Sequence, residues 1–267
     1  MPQLTVHLMG GFRVELDGEM VYGFQSDKGR ALLAYLMTEA DRPHRRETLA
    51  GLLWPDRPDT SARASLRQAL SCLRRVLGDQ RSPDPATPLF LFVTPTDVQF
   101  NTHSAYTLDV AELEAIARSP ARQQEVLPAE LCSDLLAGFA VPDSEVFQAW
   151  LLNKQEYCHR LALDILEEQT ADFERRGDYM RAVAAARLQL QMEPWLEEAH
   201  RSYMRALALT GRRDEALRQY DICSRVLQAE LGVQPAASTQ ALHAAILSGE
   251  LLARDRASAR QPVGLAL

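Results

Sequence analysis

Apolar and polar residues alternate over 4–9 (LTVHLM) and 12–16 (FRVEL), the period of a half-buried strand. Gly10-Gly11 and Asp17-Gly18 punctuate these runs as turns. Residues 21–24 read as a third short strand, which gives a small antiparallel sheet at the N-terminus. A helical period then takes over. Asp27 to Thr38 carries Ala31, Leu32, Tyr35 and Leu36 on one stripe. A second helix covers 45–53 and ends at Trp54-Pro55, because a residue before proline avoids the helical region. The loop WPDRPDTS follows, with Asp59, Thr60 or Ser61 suited to an N-cap. A third helix spans 60–77, with Leu66, Leu70, Leu73 and Leu77 as its apolar stripe. Ala64, Gln68, Ser71 and Arg75 lie opposite that stripe, Arg67 and Cys72 flank them, and Arg63 and Arg74 sit at its border. Residues 80–88 read as loop, and 89–93 with 98–101 as a hairpin around Thr94-Pro95-Thr96-Asp97.

From Thr107 onward the pattern is helical. One helix follows Asp109, a looser stretch covers 120–142, and a long helix runs from Asp143 to Arg176. Gly177 and Gly211 are 34 residues apart, as are Ala182 and Ala216, and 34 is the tetratricopeptide period. Two repeats are too few to stand alone, so the long helix is expected to complete the stack. The expected fold is mainly α: a winged helix-turn-helix with a small antiparallel sheet, then an all-α tetratricopeptide-like domain. The expected boundaries are 1–105 and 106–251, with 252–267 a flexible tail.

Composition narrows the class. Hydrophobic residues make up 46% of the 267, enough for a sizeable core, and Ala and Leu dominate them, which favours helix. No run approaches the roughly 18 apolar residues of a membrane span, so no membrane association is expected. The N-terminus alternates like a strand and lacks the basic and apolar regions of a signal peptide. Cys72, Cys132, Cys158 and Cys223 form no CxxC pair and read as buried, reduced thiols of a cytoplasmic protein. Net charge is −7, yet nine arginines against four carboxylates between Arg42 and Arg81 make a basic module on an acidic body.

That module carries the candidate chemistry. A short helix, a loop and a helix whose outer face holds Arg, Gln and Ser can set the second helix in a major groove, with the hairpin as a wing. Arg and Gln suit base edges, and Arg also suits phosphates. Spacing alone fits equally an ordinary helix with a solvated arginine face. Arg45 and Arg46 read singly as a solvated helix start, although they sit where a helix dipole favours anions, which lends some support to a phosphate nearby. No enzyme is expected: GxxxxGK[ST], GxGxxG after a strand and HExxH are all missing. Cys158 and His159 are adjacent on a helix, so their side chains diverge. No cofactor and no metal site are expected. The helical half reads as a protein-contact groove, a dimerisation face or a plain packed body, with the protein contact favoured.

The stretch Gly177–Pro235 resembles the bacterial transcriptional activator domain. It carries Gly-Asp-Tyr before an alanine helix, Pro194 then Glu-Glu-Ala-His-Arg, Gly211, Ala216-Leu217-Arg218-Gln219-Tyr220, and Glu230-Leu231-Gly232-Val233 before Pro235. LLAGFAVPDSEVFQAWL at 135–151 fits as well. Residues 53–79 (LWPDRPDTSARASLRQALSCLRRVLGD) look like an OmpR-type winged helix. Together they resemble the Streptomyces antibiotic regulatory protein family. The resemblance implies a sequence-specific activator that binds direct-repeat promoter DNA side by side and recruits RNA polymerase, a homodimer at least on DNA. It places base reading on Ala64, Arg67, Gln68 and Ser71, and phosphate contacts near Arg63, Arg74 and Arg75, beside the Arg45 and Arg46 already singled out. It also makes Trp54, Pro55, Asp56, Arg57, Pro58 and Asp59 the polymerase-contact loop. Two positions depart from the pattern: Ala64 where Asn is common, and Cys72 where a basic residue is common. A helical interaction scaffold whose winged helix contacts protein is the alternative. So is the front of a larger ATPase-containing regulator, since the tail reads like the start of a linker.

Overall fold

A computed structural model describes residues 2–79, 90–119 and 124–251. The expected tail, 252–267, and the loop over 80–88 lie outside the described residues. The contacts divide the chain into two compact units, Met1–Arg118 with Ser133–Leu161, and Ser119–Cys132 with Ala162–Leu267.

In the first unit, β1 (Leu4–His7) and β2 (Arg13–Leu16) pair antiparallel, with Leu4, Val6 and Val14 buried and their neighbours outward. Asp17 and Gly18, at φ 53° and 83°, form a two-residue turn into β3 (Glu19–Met20). Both positive angles match the turn that a right-twisted hairpin requires. The third strand therefore starts at Glu19, not at Val21. The tight turn fixes the pairing at once, and Tyr22 is left 78% exposed. Helix α1 (Asp27–Thr38) is capped by Ser26, whose hydroxyl accepts from the Gly29 amide. A two-residue strand β4 (His44–Arg45) leads into α2 (Arg46–Leu53), and α3 (Asp59–Val76) follows. Pro58 holds the α3 N-cap position without a side-chain bond, and Asp59 heads the first turn. Its carboxylate answers the helix dipole, so no side-chain cap from Asp59, Thr60 or Ser61 is needed.

The hairpin β5 (Leu91–Val93) and β6 (Asp97–Phe100) adds β4 to make a three-stranded sheet in the order β4-β6-β5. β7 (Tyr106–Leu108) then pairs parallel with β1, so the N-terminal sheet is mixed, not purely antiparallel, and 107–108 are strand, not helix. Helix α4 (Asp109–Ala117) follows. Asp109 fixes this junction: its buried carboxylate accepts from the Leu8 and Met9 amides, both at 2.7 Å.

Residues 133–161 complete the same unit. Leu136 donates to the Leu8 carbonyl at 2.6 Å, and Gly10 donates to that of Asp134 at 2.9 Å. Ser144, fully buried, donates through its hydroxyl to the Leu52 carbonyl and accepts from the Phe147 amide. That caps the long helix α5 (Glu145–Arg176), which begins two residues later than its sequence pattern implies. On α5, Trp150 packs its ring tilted against that of Tyr35, 5.0 Å between centroids, and donates to Glu39, which Lys154 also pairs at 2.8 Å. Burial opposes ionisation of Glu39, but the Lys154 and Trp150 bonds outweigh it and hold the carboxyl below its usual range. The compact division thus differs from a cut in chain order at residue 106, because backbone bonds bring 133–161 back to β1.

In the second unit, α6 (Tyr179–Met192), α7 (Glu197–Leu209), α8 (Arg213–Glu230) and α9 (Ala237–Ser248) pack after the end of α5. The 34-residue period is repeated in the hydrogen bonds. Gly177 donates to Glu174 and Gly211 to Ala208, while Asp178 donates to Phe173 and Arg212 to Leu207. Both glycines are left-handed, at φ 74° and 84°. Ala182 and Ala216, at equivalent positions of the period, are both fully buried.

Candidate nucleic-acid interface

α3 owes its placement to its apolar face. Ala62, Leu66, Ala69, Leu70 and Leu73 are buried, α2 supplies Leu49, Ala50, Leu52 and Leu53, and the two helices pack together. The polar face of α3 is left outward, as amphipathic spacing dictates. Arg63, Ala64, Arg67, Gln68, Ser71 and Arg75 are all exposed, and Arg74 is half-buried.

The hairpin is tied to the start of α2. The Arg46 amide donates to the Thr96 carbonyl at 2.9 Å, and its guanidinium donates to that of Thr94 at 3.1 Å. Asp79, just past α3, accepts from the Phe90 and Leu91 amides at 2.9 and 3.0 Å. Burial raises the Asp79 carboxyl above its usual range, against those bonds and the charge of Arg74. Sequence spacing reads Asp79 only as part of a helix stop; its use as hairpin anchor has no local signal.

Between these elements lies a cleft of about 560 Å³, lined by Arg45, Arg46, Arg63 and Arg67, by Glu47 and Thr60, and by Pro95 and Thr96 of the hairpin turn. Four arginines, from the end of β4, the start of α2 and α3, thus converge beside the turn. Among the described residues, the Arg45 and Arg67 side chains make no hydrogen bond or ion pair, so their donors remain open. Arg63 pairs with Glu47 at 2.7 Å. Planar guanidinium forks in such a cleft suit phosphate oxygens and guanine edges.

Gln68 points elsewhere. It lines a second cleft of about 290 Å³ with Lys28, Trp54, Arg57, Ser65, Cys72 and Asp143. Cys72 is buried, its thiol donating to the Gly23 carbonyl at 3.6 Å, and so belongs to the interior rather than to the exposed arc. Arg75 reaches that sulfur at 3.7 Å. In the loop before α3, Trp54 is only 6% exposed, with the Lys28 ammonium 5.5 Å from its ring centre. Trp54 therefore anchors the loop, and Pro55, Asp56, Arg57, Pro58 and Asp59 form its exposed part. Arg57 donates to the Ser65 hydroxyl at 2.9 Å.

Cys72, Cys158 and Cys223 are buried, whereas Cys132 is partly exposed. Burial pushes the thiols of Cys132, Cys158 and Cys223 up to about 11, where they stay protonated and poorly nucleophilic. Among the described residues no His, Cys, Asp and Glu side chains group to hold a metal ion, and no helix is long and apolar enough to cross a membrane.

Residues 108–247 match the family model of the bacterial transcriptional activator domain. Regulatory protein AfsR of Streptomyces coelicolor is 27% identical over 254 residues, covering 92% of this chain and 24% of AfsR. Transcriptional regulator RedD of the same organism is 26% identical over 241 residues, 85% of this chain and 65% of RedD. Transcriptional regulatory protein EmbR of Mycobacterium tuberculosis is 27% identical over 265 residues, 92% of this chain and 63% of EmbR. The chain thus spans 24% of AfsR and just under two thirds of the other two. The solved structure of Mycobacterium tuberculosis EmbR in complex with a low affinity phosphopeptide superimposes with a TM-score of 0.60. It is 22% identical and covers 93% of this chain and 66% of that one, which shows a shared fold.

Proposed function

Since the chain belongs to the bacterial transcriptional activator domain family, in the arrangement of the Streptomyces antibiotic regulatory proteins, we propose that it is a sequence-specific DNA-binding transcription activator. The observation that carries this reading is the cleft where Arg45, Arg46, Arg63 and Arg67 converge beside the hairpin turn. α3 enters the major groove. Arg67, with Ala64 and Ser71 along the same exposed face, meets base edges, and Gln68 does so from its far side. Arg45, Arg63 and Arg75 meet phosphates, as does Arg74 through its exposed atoms. Arg46 holds the wing against α2 with one bond and offers its remaining donors to the backbone. The exposed loop Pro55–Asp59, set by buried Trp54, meets RNA polymerase once the promoter is bound. Protomers sit side by side on direct repeats, as a homodimer on DNA in the cytoplasm, with residues 106–251 as the protein-contact module. No catalytic step enters this scheme.

Phosphate contacts release counterions, so affinity must fall with salt. Titrating the chain against a random duplex over a salt series is expected to give a log–log slope of roughly −4 to −5, about 0.9 for each of the five arginines set against phosphates. A flat dependence would remove DNA from the cleft and favour the scaffold alternative.

A further inference from the structure

Glu47 is the one carboxylate among the residues that line the arginine cleft. It stands in the first turn of α2, where a helix end welcomes an anion, yet its side chain is 67% exposed and turned to Arg63, itself 54% exposed. One guanidinium nitrogen of Arg63 donates to one carboxylate oxygen of Glu47 at 2.7 Å, across 16 residues of sequence. An ion pair this exposed adds little to folding. It does occupy one nitrogen of a guanidinium that lines the cleft together with Arg45 and Arg67. A phosphate that takes the same nitrogen of Arg63 displaces Glu47, and one that takes its other donors rests beside a carboxylate of its own sign.

We propose that Glu47 is a built-in competitor for Arg63, an affinity-limiting residue that holds down sequence-independent DNA binding. The inference rests on the DNA reading of the cleft. Phosphate contacts set affinity without carrying sequence, so a carboxylate placed against one of them lowers binding to all DNA alike. Contacts to bases, made from Arg67 on the open side of α3, are untouched by the pair. The gain from removing Glu47 must then run through Arg63.

The test compares Glu47→Gln, Arg63→Ala and the double variant in the full chain, each titrated against random duplex over a salt series. Glu47→Gln is expected to bind about threefold to tenfold tighter at low salt, with a slope steeper by up to about one unit. In the Arg63→Ala background the same change is expected to give less than about a twofold gain, since the group it frees is gone. No tightening in Glu47→Gln overturns the inference. A full gain that persists without Arg63 also overturns it, because bulk charge then explains the effect. A wild-type chain whose DNA binding ignores salt contradicts the underlying function instead, and is read from the wild-type curve alone. Circular dichroism melting of each variant checks that the fold is kept.

Discussion

Arg67 and Arg45 share one cleft and differ in what they can read. Arg67 projects from the exposed face of α3, whereas Arg45 stands at the N-cap of α2. Arg67→Ala is expected to cost about 1–3 kcal/mol on a cognate site and much less on random duplex. Equal losses on both, measured by competition titration, would make Arg67 a phosphate contact. The arginines of α3 were legible because a leucine stripe at helical spacing forces the remaining positions outward. Three residues were not legible in the same way. Glu47 meets Arg63 through a tertiary contact that no period announces. Asp79 looks like a terminator and serves as the hairpin's acceptor. Trp54 sits in a loop otherwise exposed, and only packing shows that it is buried.

Elements with a local cause were visible in the chain. The apolar period over 27–38 marks α1, Trp54-Pro55 stops α2, and Asp17-Gly18 marks a turn. β4 and β7 were not visible, because each has two or three residues and exists only through a distant partner: β6 for His44 and Arg45, β1 for Tyr106–Leu108. The segment 133–161 follows the same logic on a larger scale. It buries Leu135, Leu136, Val141, Phe147 and Leu151 in the first unit and hydrogen-bonds the chain after β1. Each large apolar side chain buried contributes roughly 1.5–3 kcal/mol, so five of them contribute about 7.5–15 kcal/mol, comparable with the roughly 5–15 kcal/mol net stability of a typical domain. A fragment of residues 1–118 is therefore expected to lose its cooperative thermal transition, while 1–161 keeps one for the first unit. An unchanged melting temperature in the shorter fragment, by calorimetry, would separate the winged helix from that segment.

On the scale of the molecule, charge and period do the organising. A chain of net charge −7 concentrates nine arginines between Arg42 and Arg81, and the fold gathers four of them on one cleft. The acidic remainder includes a helical unit whose 34-residue period survives down to the hydrogen bonds of Gly177 and Gly211 and the burial of Ala182 and Ala216. That period was legible because glycine and small alanines recur at fixed places. The split of the chain into two units was not, since it depends on a segment that returns to β1 after the first helix of the activator domain. The most direct test of sequence-specific reading is selection of bound duplexes from a random pool at two salt concentrations, followed by sequencing. Enrichment of a direct repeat spaced near one helical turn, about 10–10.5 base pairs, is the expected result and identifies the target. A bound fraction with no enriched sequence at either salt would contradict it.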